Sequence, residues 1–97
     1  MAKIYIAGPM TGLPEFNYPA FHKAADDLRS LGNTVVNPAE LFDGQLGLEW
    51  LDYMRAGLKA LLDCEAIYML KGYRQSRGAM IELNLAVQLG LPVTHEH

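Results

Sequence analysis

Cysteine is nearly absent: Cys64 stands alone among 97 residues, so no internal disulfide can form. Three scattered histidines supply no ligand spacing for zinc, and no metal is expected. Long apolar runs are also missing. Although 51% of the residues are apolar, no window approaches the roughly 20 needed to cross a bilayer. The opening residues 1–7 lack the extended apolar region and cleavage site of a secretory signal and read instead as a strand. A soluble, cytoplasmic protein without a membrane partner is expected. Basic residues are few, 8 against 11 acidic for a net charge of −3, which excludes the broad phosphate footprint of a duplex binder. Repeats, linkers and low-complexity segments are lacking, and a chain this short buries one core, so residues 1–97 are expected to form a single domain.

What is present is an alternation of short β-branched runs with helical periodicities. Lys3 to Ala7 reads as a strand stopped by Gly8-Pro9. Phe21, Ala24, Ala25, Leu28 and Leu31 then recur at helical spacing, with Asn17 as the expected cap, Pro19 tolerated in the first turn and Gly32 as the stop. Thr34 to Val36 is a second strand, closed by Asn37-Pro38. Residues 39–47 read as a loop, and Leu51, Met54, Leu58, Leu61 and Leu62 mark a second helix. Ala66 to Leu70 is a third strand, with Cys64 expected to be buried beside it; a polar loop over 71–76, a third helix to Leu89, the Gly90 stop and a strand at Pro92 to Thr94 follow. Such alternation predicts an α/β fold: a short parallel sheet with helices on both faces, in three layers of the flavodoxin or Rossmann-like kind.

In such folds ligands gather at the carboxyl ends of the strands, here the loops over 8–15, 37–47 and 71–76. The glycine-punctuated Gly8-Pro9-Met10-Thr11-Gly12 matches neither G-x-G-x-x-G nor G-x-x-x-x-G-K-[ST], which argues against a dinucleotide cofactor or a P-loop, and no cofactor is expected. On a helical wheel Arg77, Asn84 and Gln88 share one polar sector, while Glu82 falls on the far side among Gly78, Ala79, Ala86 and Leu89. Small neighbours leave room around a carboxylate that is costly to desolvate unless paired. A pocket explains both facts; a carboxylate bonded to a loop or an arginine is the plainer alternative. Ser76 can cap this helix, and the amides of Arg77, Gly78 and Ala79 beside the guanidinium of Arg77 or Arg74 form a candidate anion seat, though an N-cap serine is also common for stability alone. Tyr5, near the end of the first strand, can reach the same crevice or simply pack. Phe42, Trp50 and Tyr53 can stack on a base, complete the core or form a subunit contact.

The segments Ile4-Tyr5-Ile6-Ala7-Gly8-Pro9-Met10, Asn37-Pro38 and Ser76-Arg77-Gly78-Ala79 running into Glu82 resemble the nucleoside 2-deoxyribosyltransferase superfamily, and more closely its small phage and bacterial branch of DUF4406 proteins. The resemblance implies that Glu82 attacks the anomeric carbon, the base departs, and water or a second base resolves a glycosyl-enzyme ester, as in retaining glycoside chemistry. It also implies that Tyr5 orients the nucleophile, that Ser76 and neighbouring amides hold a 5′-phosphate, and that a neighbouring subunit completes each site in a homodimer or larger homo-oligomer. The chain departs from the pattern at Gly57, where the superfamily usually carries an aspartate in the second helix; Asp52 is a candidate substitute. A mid-helix glycine costs about 1 kcal/mol relative to alanine, so Gly57 either leaves room for a ligand or reflects relaxed constraint.

Two expectations follow. The first is an enzyme cleaving the N-glycosidic bond of a (2′-deoxy)nucleoside 5′-monophosphate, by hydrolysis rather than base transfer. The second, motivated by Gly57, is a module of the same fold that binds or senses a nucleotide without cleaving it. A purely structural or interaction role is a third reading, against which the small residues around Glu82 speak.

Overall fold

The computed structural model describes residues 2–41 and 49–96. Four parallel strands lie in the order β2-β1-β3-β4: β1 (Lys3–Ala7), β2 (Thr34–Val36), β3 (Ala66–Met69) and β4 (Val93–His95). β1 is central, pairing Tyr5 with Val36 on one side and with Ile67 on the other. The chain runs outward from β1 to β2, then returns past it to β3, so the reversal of strand order falls between β1 and β3. That is where open α/β sheets place their ligands.

The two-residue period of β1 sorts its side chains between two cores. Ile6 faces a cluster with Val35 of β2, Leu70 just after β3, and Phe21, Ala24, Ala25 and Ala39 from α1 (Tyr18–Ser30) and α2 (Pro38–Leu41). Tyr5 and Ala7 face the opposite cluster, with Ile67 and Met69 of β3 and Leu61, Ala79 and Ala86 from α3 (Trp50–Leu62) and α4 (Arg77–Gln88). Helices therefore cover both faces, in the three layers expected of a buried parallel sheet. Full burial of side chains such as Ile6 and Ile67 contributes about 1.5–3 kcal/mol each relative to exposure. Cys64 lies buried just before β3, its thiol donating to the Ala60 carbonyl.

Several boundaries differ from the sequence reading, each for a local reason. Asn17 does not cap α1 with its side chain. It takes a left-handed backbone (φ 61°) rather than the extended one that an N-cap uses, and its amide donates to the Pro9 carbonyl at 3.0 Å. Glu15 and Phe16 are also left-handed, at φ 54° and 53°, so the chain enters α1 through three consecutive residues in that region. The loop expected from residue 39 instead opens with α2, whose Ala39 amide is held by the Asn37 side chain. The rest of that loop, with Phe42, lies outside the described residues. The last strand runs from Val93 rather than Pro92, which has no N–H to give to a ladder. Gly32 and Gly90 follow the ends of α1 and α4 with positive φ, as the expected stops.

Candidate active site

α4 presents Gly78, Ala79, Glu82 and Ala86 inward, so Glu82 lies mid-way along a buried face that is otherwise made of small residues. It is 7% exposed. Directly opposite, Tyr5 projects from β1, itself buried, and its hydroxyl donates to Oε2 of Glu82. Burial pushes the Glu82 carboxyl up to about 7, against the pull of the Tyr5 hydrogen bond, which favours the charged form. Burial first, and then the Glu82 charge, push the Tyr5 hydroxyl well above its ordinary range, so the shared proton stays on tyrosine. The pair is a neutral phenol bound to a carboxyl group whose charged form is disfavoured by burial and favoured by the tyrosine hydrogen bond.

Gly57 of α3 lies on this pair. A Cβ there would stand 2.7 Å from the Tyr5 hydroxyl and 2.9 Å from Oε2 of Glu82. The room left by the missing side chain is thus filled by the tyrosine and the carboxylate themselves, not held open for a ligand. Asp52 does not replace the absent aspartate: it is exposed and forms a capping box with Glu49 at the start of α3. Gly78 has a packing cause too, since a Cβ there would meet Sδ of Met54 at 2.8 Å. Gly78 therefore lets α3 approach α4, and with Ala79 it also borders the open space beside Glu82.

The pocket opens beside the pair instead. A cleft with about 80 Å³ of internal space, partly open to solvent, is lined by Glu82 and Tyr5, by Gly8, Met10 and Thr11 after β1, by Ser76, Gly78 and Ala79 at the start of α4, and by a set of aromatic rings. It occupies the carboxyl ends of β1 and β3, where the strand order predicts it. Of the residues singled out in the sequence, Tyr5, Gly8, Met10, Ser76, Gly78 and Glu82 meet there, and so do Trp50 and Tyr53. Pro9 is not in the lining; its carbonyl holds Asn17. Ser76 acts as N-cap, accepting from the Ala79 amide at 3.1 Å, so Ala79 is already committed and the candidate anion seat is reduced to the Arg77 and Gly78 amides. The two arginines point elsewhere. Arg77 stacks on Trp50 at 4.4 Å, and Arg74 lies over Tyr73, donating to its hydroxyl at 3.3 Å.

Phe16, Tyr18, Phe21, Pro38 and Met54 also line the cleft. Their signal in the sequence is ambiguous, because helical periodicity assigns Phe21 and Met54 to core faces, which they also serve. Phe16 reaches the cleft through the left-handed turn, which no periodicity announces. Among the described residues no group of three or more His, Cys, Asp or Glu could hold a metal ion, and no helix is long and apolar enough to cross a membrane.

A parallel sheet with helices on both faces, in three layers, is the fold of the 2-deoxyribosyltransferase-like superfamily, to which this chain is assigned. The fold matches the 2-deoxyribosyltransferase of the psychrotolerant bacterium Bacillus psychrosaccharolyticus, characterised as a biocatalyst for nucleoside synthesis, with a TM-score of 0.75. The two are 26% identical over 97% of this chain and 71% of that one. Within the superfamily the chain belongs to the DUF4406 family, described as a domain of unknown function, whose model matches residues 2–95. Among curated proteins no relative matches.

Proposed function

We propose that residues 1–97 act as a single 2-deoxyribosyltransferase-like domain, a cytoplasmic enzyme that cleaves the N-glycosidic bond of a (2′-deoxy)nucleoside 5′-monophosphate. The observation that carries this reading is the Tyr5–Glu82 pair at the floor of an aromatic cleft. Glu82 is the nucleophile. Its carboxylate adds to the anomeric carbon as the carbon–nitrogen bond breaks, passing through an oxocarbenium-like transition state to a glycosyl ester, while the base keeps the electron pair of the broken bond and takes a proton from solvent. Tyr5 fixes Oε2 and holds the carboxylate in one rotamer, so little reorganisation accompanies attack. The aromatic walls receive the base. The 5′-phosphate sits at the start of α4, on Ser76 and the Arg77 and Gly78 amides, favoured by the positive end of the helix. Arg77 swings from Trp50 to join it, and Arg74 approaches from the adjoining loop, while Gly8 and Met10 form the wall beneath the sugar, with Pro9 holding their loop through its bond to Asn17. Water then resolves the ester, making hydrolysis the net reaction, and a second copy of the chain completes the cleft in a homo-oligomer.

Incubation with ribo- and deoxyribonucleoside 5′-monophosphates, followed by chromatography of free base, tests this reading. Release that disappears in Glu82→Ala supports it; intact nucleotides at high enzyme concentration contradict it. Gly57, standing where the superfamily usually has an acid, favours one other reading, a nucleotide-binding module without turnover. Ligand-induced stabilisation with no base release would select that alternative.

A further inference from the structure

We infer that the cleft selects a ligand whose base ring carries a positive charge, an N-glycosyl pyridinium or an N-alkylated purine nucleotide, over its neutral counterpart. As a substrate class this rests on the glycosidase reading above; as a binding preference it stands apart from it. The charge inventory of the cleft carries the inference. Glu82 is the carboxylate of its lining, and the group bonded to it, the Tyr5 hydroxyl, is neutral. No lysine, arginine or histidine is among the described residues of that lining. Among the described lining residues an ionised Glu82 thus faces the cleft without a counter-cation, and the nearby Arg77 guanidinium is held on the Trp50 ring or, in the proposed reaction, by the 5′-phosphate.

The walls add to this preference. Phe16, Tyr18, Trp50 and Tyr53 surround the cleft, and aromatic faces attract cations as well as stacking on bases. Trp50 already carries one cation, the Arg77 guanidinium. A neutral base gains only the stacking. A cationic ring gains the stacking, the ring quadrupoles and the field of Glu82, in a cleft only partly open to solvent.

The chemistry is balanced for such a substrate. When a glycosyl pyridinium or N-alkylated purine departs, the electron pair of the broken carbon–nitrogen bond neutralises the ring nitrogen. The base leaves neutral and needs no proton from the protein. Glu82 supplies the electron pair of the new carbon–oxygen bond. Hydrolysis of the ester then breaks that bond, places the water oxygen on the sugar carbon and releases one proton to solvent.

The test is calorimetric titration of the intact protein with the 1-methylnicotinamide cation and with neutral nicotinamide. Above neutral pH the cation is expected to bind at least about tenfold tighter. The preference shrinks at about pH 5, where Glu82 is protonated, and in Glu82→Gln. The pH arm needs no variant to fold. Equal affinities, tighter binding of the neutral ring, or no detectable binding of the cation at millimolar concentration would each overturn the inference. Release of base from neutral nucleotides without the cation preference would overturn it while leaving the proposed function in place. The cation preference without base release would uphold it and count against the glycosidase reading.

Discussion

Tyr5 and Glu82, 77 positions apart, meet in one hydrogen bond across the interface between β1 and α4, and Gly57 of α3 closes over both. Three elements on one face of the sheet thus converge on two side chains. The backbone of α3 belongs to the site as fully as any side chain does.

Gly57→Ala tests that convergence. The added methyl would stand within 3 Å of two polar atoms, so the tyrosine and the carboxylate must shift. Overpacking costs about 1–3 kcal/mol, against about 1 kcal/mol gained in helix propensity. A small net loss of stability on chemical denaturation is expected, with a loss of base release far exceeding it. Full activity in this variant would mean that the pair tolerates displacement.

Burial of Glu82 has a cost that depends on pH. Its folded value of about 7 lies above the ordinary 4.5, so the folded protein holds the proton more tightly than the unfolded chain does. The contribution of Glu82 to stability is greatest below about pH 4.5, falls as pH rises toward 7 and levels off beyond, a change on the order of 3 kcal/mol. Glu82→Gln removes the dependence. Thermal unfolding should show the variant gaining on the parent protein between pH 5 and pH 8. An equal difference at both would contradict the burial of an ionisable carboxylate.

The Tyr5 hydrogen bond lowers the Glu82 value. In Tyr5→Phe that pull is lost, and the carboxyl titrates at a higher pH than in the parent protein. Carbon-detected NMR of the Glu82 carboxyl should record the upward shift, and the acid limb of kcat/KM should move with it. A downward shift would mean that the hydroxyl favours the neutral acid.

Ser76 caps α4, so Ser76→Ala should lower stability by about 1 kcal/mol. Its proposed second role adds a larger KM for the 5′-monophosphate than for the nucleoside lacking phosphate. An equal change in both KM values would confine Ser76 to the cap.

Much of this arrangement is legible in the sequence because it follows from short-range pattern. The alternation of β-branched runs with helical periodicity gives the parallel sheet and its layers, and the wheel position of Glu82 among small residues gives its burial. Tyr5 follows from its place at the end of the first strand. The remainder depends on contacts that periodicity does not encode. Gly57 reads as a gap until the three-dimensional approach of α3 to β1 shows the gap filled. Arg77, one residue past a capping serine, reads as a phosphate ligand, yet stacking on Trp50 competes for its guanidinium. The left-handed turn at Glu15, Phe16 and Asn17 contains no glycine, so the usual sign of such backbone is missing.

In the proposed reaction Glu82 forms a bond to the sugar. Intact-protein mass spectrometry after rapid quenching of the reaction with a deoxynucleoside 5′-monophosphate, followed by peptide mapping, would capture that bond. A deoxyribosyl-phosphate adduct is expected on the peptide containing Glu82, absent in Glu82→Gln. Base release without any adduct, or an adduct that persists when Glu82 is replaced, would contradict it.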